Sequence, residues 1–191
     1  MSNIEENNNE KYDIKKIIII DESLKNNNTK KIICKKEKKL RVETKTWGLN
    51  EAELSHQIQL NILKNILDNT LEKDKYILML TSHVKTKICS YKQQDILKNK
   101  FEEEKLVKFE EVIQLLQKCE MKCHYCSEQV FILYEIVREM KQWTLDRVNN
   151  NIGHNSGNLV IACLECNLKR RRTNKDAFMF TKNMVIVREG L

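Results

Sequence analysis

Apolar residues recur at helical spacing through the middle of the chain. Leu54, Ile58, Ile62 and Ile66, with Leu63, Leu67 and Leu71 beside them, follow Asn50 at intervals of three and four residues. This pattern predicts a long amphipathic helix over roughly 51–72, with Asn50 as its cap. Tyr76, Ile77, Leu80, Val84 and Ile88 predict a second helix that ends near Ser90. A third, shorter one is expected over Tyr91–Phe101, and a fourth from Lys108 to Leu116 with Val112, Leu115 and Leu116 facing inward. Beyond residue 129 the period changes. Val130–Tyr134 reads as a buried strand, and Gln142–Val148 as an alternating one in which Trp143, Leu145 and Arg147 share one face and Thr144 and Asp146 the other. Asn149, Asn150, Asn151 and Gly153 open a loop, Asn158–Ala162 supplies the partner strand, and a basic helix runs from Leu164 to about Asn174. Phe178, Phe180, Val185 and Val187 suggest a last strand under this unit. The fold class is therefore α+β, with a helical region at 46–118 ahead of a compact strand-loop-strand-helix unit at 119–191.

Residues 1–45 differ from the rest. They are rich in Asn, Lys and Glu, broken by Ile17–Ile20 and by the Lys-rich run Lys30–Lys39. Segments this polar bury too little surface to offset the entropy of ordering, so a flexible tail is expected, with the Lys run as a solvated stretch or a nucleic-acid arm.

Chemistry enters with the cysteines. Cys123-His-Tyr-Cys126 and Cys163-Leu-Glu-Cys166 are two Cys-x-x-Cys pairs separated by the interval 127–162. Two such knuckles supply four thiolates to one tetrahedral zinc. The competing readings are weaker. The first twenty residues lack an apolar core with a small-residue cleavage site, which argues against secretion and a disulfide framework. Haem attachment fails because Ser127, not His, follows Cys126. Cys34, Cys89 and Cys119 are expected as ordinary thiols, Cys119 being a poorer alternative ligand.

Charge adds a partner class. Lys and Arg number 34 against 27 Asp and Glu, a formal net charge of +7, which favours an anionic partner, nucleic acid first. No apolar run approaches the ~18 residues that a membrane span needs, so an intracellular protein with no membrane partner is expected. Proline is absent and glycines number four, which favours long helices and few tight turns.

Asp146, Asn158 and Asn167, set between or beside the two knuckles, resemble the HNH nuclease family with its ββα-metal fold. The likeness covers residues 123–172. More narrowly, Tyr91–Asp95, Gln142–Arg147, Gly153-His-Asn155, Ala162–Leu168 and Phe180-Thr-Lys182 resemble the HNH-like proteins encoded by large DNA viruses of the mimivirus kind, which implies a virus-encoded protein acting in a host cell. The family resemblance implies metal-dependent hydrolysis of DNA phosphodiester bonds, with RNA as the alternative substrate. Asp146 and Asn167 would offer oxygen ligands to one Mg²⁺ or Mn²⁺, and Asn158 would fix the loop by hydrogen bonding. One departure stands out: Arg147 occupies the place where the family carries its His general base, and arginine stays protonated at any working pH. It is suited instead to clamping phosphate. His154 in the loop and His124 in the first knuckle are the substitute bases. The run Lys169-Arg170-Arg171-Arg172 covers every azimuth of its helix and is expected to contact phosphate. The alternative function is a zinc-stabilised nucleic-acid-binding protein without catalysis.

Overall fold

A computed structural model describes residues 38–42, 47–68 and 74–184. Its contacts divide the chain between Lys38 and Lys39, and the account below concerns the second unit. The Ile17–Ile20 run and almost all of the Lys30–Lys39 run lie outside the described residues. Lys39–Arg41 belongs to the body: Leu40 bridges Ile136, Arg41 N–H donates to Glu135 O at 2.8 Å, and Lys39 O accepts from Val137 N–H at 2.8 Å.

The elements in order are α1 (His56–Leu67), α2 (Lys75–Leu97), a short 3₁₀ turn (Glu103–Lys105), α3 (Phe109–Lys118), β1 (Trp143–Arg147), β2 (Leu159–Cys163), α4 (Leu164–Arg170) and α5 (Lys175–Asn183). The architecture is α+β. Asn50 does cap, but it caps a turn. Asn50 and Glu53 exchange backbone-to-side-chain bonds at 2.7 and 3.0 Å, and the helix proper begins only after Ser55.

The two helices expected over 76–90 and 91–101 are one. No glycine or proline interrupts the sequence near Ser90, and the buried stripe Leu80, Val84, Ile88, Tyr91, Asp95 continues at helical spacing across it. The helix ends at Lys98, where Asn99 takes a φ of 53° and Lys100 N–H bonds to Asp95 O at 2.8 Å. The strand expected at Val130–Tyr134 is absent. Its N–H groups are claimed elsewhere: Ile132 and Leu133 both donate to the buried Gln59 Oε1 at 2.8 Å, while Gln59 Nε2 donates to Leu54 O and Leu133 O. Phe131 alone keeps a bridge to Gln142, and Gln59 takes over the N–H groups beyond it. The last strand is also a correction, because Asn174 Oδ1 caps Asp176 and Ala177 N–H and starts α5 through Phe178 and Phe180. Val185 and Val187 lie outside the described residues.

β1 and β2 form an antiparallel pair with Trp143 opposite Cys163, Leu145 opposite Ile161 and Arg147 opposite Leu159. A single core joins this pair to the helices, from Ile62 and Leu80 through Leu116 and Tyr125 to Trp143 and Ile161. The helical region and the strand unit therefore share one interior. The turn after α2 also grips the loop between the strands. Val107 N–H donates to His154 O at 3.0 Å, Ser156 N–H to Lys105 O at 2.7 Å, and Asn155 Nδ2 to Glu102 Oε1 at 3.0 Å. Among the described residues no helix is long and apolar enough to cross a membrane.

Candidate functional site

The four knuckle cysteines converge. Their sulfurs all lie within 4.8 Å of one another, with Cys126 Sγ and Cys163 Sγ at 3.9 Å. A tetrahedron with Zn–S bonds of about 2.3 Å has edges of ~3.8 Å, so the spacing suits zinc. Local hydrogen bonds build each knuckle: Ser127 N–H donates to Cys123 O at 2.9 Å, and Cys166 N–H to Cys163 Sγ at 3.4 Å. His124 N–H donates to Ile161 O at 2.8 Å, which docks the first knuckle on β2. The Cys163 thiol hydrogen-bonds to Cys123 and drives its proton affinity well below the ordinary thiol range, while Cys163 itself is driven up. A metal takes cysteine as thiolate, so ion binding at this cluster would release its thiol protons. Cys119 stands outside the cluster and donates weakly to Leu116 O, and Cys89 is exposed; Cys34 lies outside the described residues.

Second comes the face of β1 that turns toward α4. Thr144 and Asp146 project from it, two residues apart, and helix residues Asn167 and Arg170, one turn apart, meet them. Asn167 Nδ2 donates to Thr144 Oγ1 at 3.0 Å, and Arg170 Nη1 donates to Asp146 Oδ1 at 2.7 Å. Arg170 also bonds to Arg147 O at 2.7 Å and Val148 O at 3.1 Å. The other carboxylate oxygen of Asp146 accepts from Tyr125 Oη–H at 2.6 Å, and that bond together with burial holds the phenol far above its usual range. The Arg170 and Asp146 side chains are 1% and 5% exposed, so water does little to screen the pair.

This arrangement bears directly on the expected Mg²⁺. Asp146 and Asn167 lie on facing elements, but a guanidinium already balances the Asp146 charge, and the two residues share no hydrogen-bond partner. The donor set accepts a divalent ion only if Arg170 leaves. Arg170, expected to contact phosphate, is buried instead, and Lys169 pairs with Glu165. The basic helix stops at Arg170 because Arg171 adopts a φ of 52°.

The opposite face of β1 carries Arg147, whose Nη1 donates to Ile152 O at 3.3 Å and lies 3.7 Å from Asp95 Oδ1. Asp95, buried on α2, is the hub of this side. It accepts His154 N–H at 2.6 Å and His154 Nδ1–H at 2.9 Å. An ionised carboxylate only accepts, so the ring proton resides on Nδ1 and Nε2 carries the free lone pair. Desolvation lowers the imidazole pKa against the opposing pull of Asp95, which keeps the ring neutral near pH 7. Tyr91 stacks on the ring at 4.4 Å and accepts from Leu145 N–H through its hydroxyl. Asn158 fixes the loop: its Oδ1 accepts from Asn149 N–H, and its Nδ2 donates to Asn149 O and Gly153 O. Gly153 is needed for close approach, since a Cβ there would sit 2.5 Å from Lys100 O and 2.8 Å from Asp95 Oδ2. His124, in contrast, faces the Tyr125 ring edge beside the knuckle.

Asp95, Tyr125 and Thr144 were not singled out from the sequence. Asp95 had a usable signal, because a carboxylate on an apolar helical stripe demands a buried partner. Tyr125 and Thr144 carried none beyond proximity to the knuckle and to Asp146. None of the protein-family models, curated proteins or solved structures compared with this chain matches it.

Proposed function

We propose that the chain is a zinc-stabilised, metal-dependent endonuclease of the HNH kind that hydrolyses DNA phosphodiester bonds. One observation carries the reading. A sulfur cluster fit for zinc closes a strand-loop-strand-helix unit in which β1 presents Asp146 to α4 and α4 presents Asn167 to β1. A carboxylate at a strand end and an amide at a helix start are the hard oxygen ligands that a divalent ion for phosphodiester hydrolysis takes. With Arg170 displaced from Asp146, a Mg²⁺ or Mn²⁺ held by Asp146 and Asn167 would neutralise charge developing on the leaving oxygen. Asn158 keeps the loop in register, while His154, buried and held by Asp95 on the face of β1 opposite Asp146, lies away from the water whose proton must be removed. Arg147 cannot take that proton and serves the substrate phosphate instead.

Plasmid nicking tests the reading. Purified zinc-loaded protein with Mg²⁺ or Mn²⁺ is expected to nick supercoiled DNA, and Asp146→Asn to nick at least about a hundredfold more slowly. Nicking by neither metal, or equal nicking by Asp146→Asn, overturns it. The Arg170–Asp146 ion pair favours a second reading, a nucleic-acid-binding protein without catalysis. That reading expects salt-sensitive binding that needs no Mg²⁺ and survives Asp146→Asn, with no turnover by the wild type.

A further inference from the structure

We propose that the cleft between the C-terminal end of α2 and the end of α4 binds the phosphodiester backbone of nucleic acid. The inference takes its ligand class from the preceding section but does not require hydrolysis. The cleft measures about 300 Å³ and is lined by Lys98, Lys100, Arg147, Asn150, Arg171 and Arg172. Five of these six residues are cations and none is acidic. Three different backbone devices bring them together. Lys98 and Lys100 flank Asn99, whose positive φ ends α2. Arg171, at the end of α4, also has a positive φ, so the chain turns there and carries Arg171 and Arg172 to the cleft instead of along the helix. Arg147 reaches in from β1, on the face opposite Asp146.

The charges are poorly compensated. Lys98, Arg171 and Arg172 have no ion-pair partner among the described residues. Arg147 has Asp95 at 3.7 Å, but that carboxylate already serves two N–H groups of His154. Lys100 Nζ donates to Asn150 O, a neutral carbonyl, and this bond ties the interstrand loop to the cleft wall. Like charges gathered in one concavity repel, and an anion relieves that repulsion. Guanidinium groups match phosphate oxygens in bidentate geometry, and no apolar residue lines the cleft. Of the run Lys169–Arg172, expected to cover every azimuth of its helix, Arg171 and Arg172 line the cleft. Two of the four residues in the run point elsewhere, and the cleft is completed by residues far away in the chain.

Fluorescence anisotropy with the full zinc-loaded chain and a labelled 20-base-pair duplex tests this, with no divalent metal added. The variant K98Q/R171Q/R172Q is expected to bind at least tenfold more weakly, with a salt dependence shallower by about two to three, since each phosphate contact contributes ~0.9 to the slope. A control that removes the same charge elsewhere, K64Q/K108Q/K118Q, is expected to stay within twofold of the wild type. Zinc content and melting temperature report that each variant is folded, and K98Q/R172Q, confined to two exposed side chains, provides a milder form. Equal losses in cleft and control variants overturn the proposal, as does anionic-lipid vesicle binding that matches DNA binding and falls with it. Nicking assays run on the same samples separate the two ideas. Wild type that binds through the cleft yet never nicks ends the nuclease reading alone, and a cleft variant that binds and nicks as the wild type ends the cleft alone.

Discussion

Replacing Arg170 with methionine strips the guanidinium from Asp146 and keeps most of the side-chain volume. The structure sets the magnitude. Arg170 makes bonds of 2.7 Å to Asp146 Oδ1, 2.7 Å to Arg147 O and 3.1 Å to Val148 O, in a place where both charged side chains are at most 5% exposed. Removing one partner of a buried ion pair leaves the other charge uncompensated, at a cost of about 3–5 kcal/mol. For a chain of this size each kcal/mol shifts Tm by about 2–4 °C, so a drop of roughly 6–20 °C is expected by calorimetry or circular dichroism. Adding Asp146→Asn should recover a large share, because the double variant buries no net charge. A drop below about 2 °C would show that the Asp146 carboxylate finds other compensation and would refute the electrostatic argument.

The same variant asks whether Asp146 serves a metal. With the guanidinium gone, the carboxylate faces Asn167 with its charge unbalanced. If Mg²⁺ then binds with a Kd near 1 mM, 10 mM Mg²⁺ stabilises Arg170→Met by about 1.4 kcal/mol, or about 3–6 °C, and the wild type by less. An Arg170→Met protein that is destabilised yet indifferent to Mg²⁺ would show that this face of β1 is built for a guanidinium and not for a divalent ion.

Zinc should be present at one ion per chain by atomic absorption, and Cys163→Ser or a strong chelator should unfold the strand unit, seen as loss of the cooperative thermal transition. Gly153→Ala should cost about 1–3 kcal/mol by denaturant titration, because its Cβ falls 2.5 Å from a backbone carbonyl that the α2 cap holds in place. Stability should fall in acid. Burial lowers the pKa of His154 and pushes His83 down to about 3, so in the fold both resist protonation that the unfolded chain accepts near 6.5. Their contribution is complete above about 6.5 and is lost as pH falls below it, at up to ~1.4 kcal/mol per pH unit for each residue still neutral in the fold. A flat stability profile from pH 7 to 5 would contradict both burials.

What the sequence made legible was whatever depends on short-range spacing. The Cys-x-x-Cys pairs identify the sulfur cluster, and the alternation of Trp143 to Arg147 assigns those residues to opposite faces of β1. The Leu80 to Ile88 stripe shows α2, though not that it runs on through Tyr91. Long-range satisfaction of backbone groups stayed hidden. Val130–Tyr134 has the composition of a strand, and only the placement of Gln59 on α1 converts it to a loop. Phe178 and Phe180 suit a strand equally well in isolation, and the Asn174 cap decides for a helix. Pairings of charge across the fold were the least visible, because Arg170 and Asp95 carry no local mark of their partners.

That last class of interaction decides how this site works. β1 separates two electrostatic systems, one on each face, and its pairing with the knuckle-bearing β2 fixes which residues face which. On the α4 face a carboxylate and a guanidinium cancel, with a phenol completing the set. On the α2 face one carboxylate is divided among an imidazole, a backbone amide and Arg147, which leaves the cationic cleft in excess. A one-residue slip of β1 would exchange the faces, taking Asp146 from Arg170 and putting it on the side that Asp95 already occupies. Register is therefore enforced by charge as well as by the apolar pattern. A zinc-free protein, released from its knuckles, should lose the Asp146 and His154 environments together rather than one at a time.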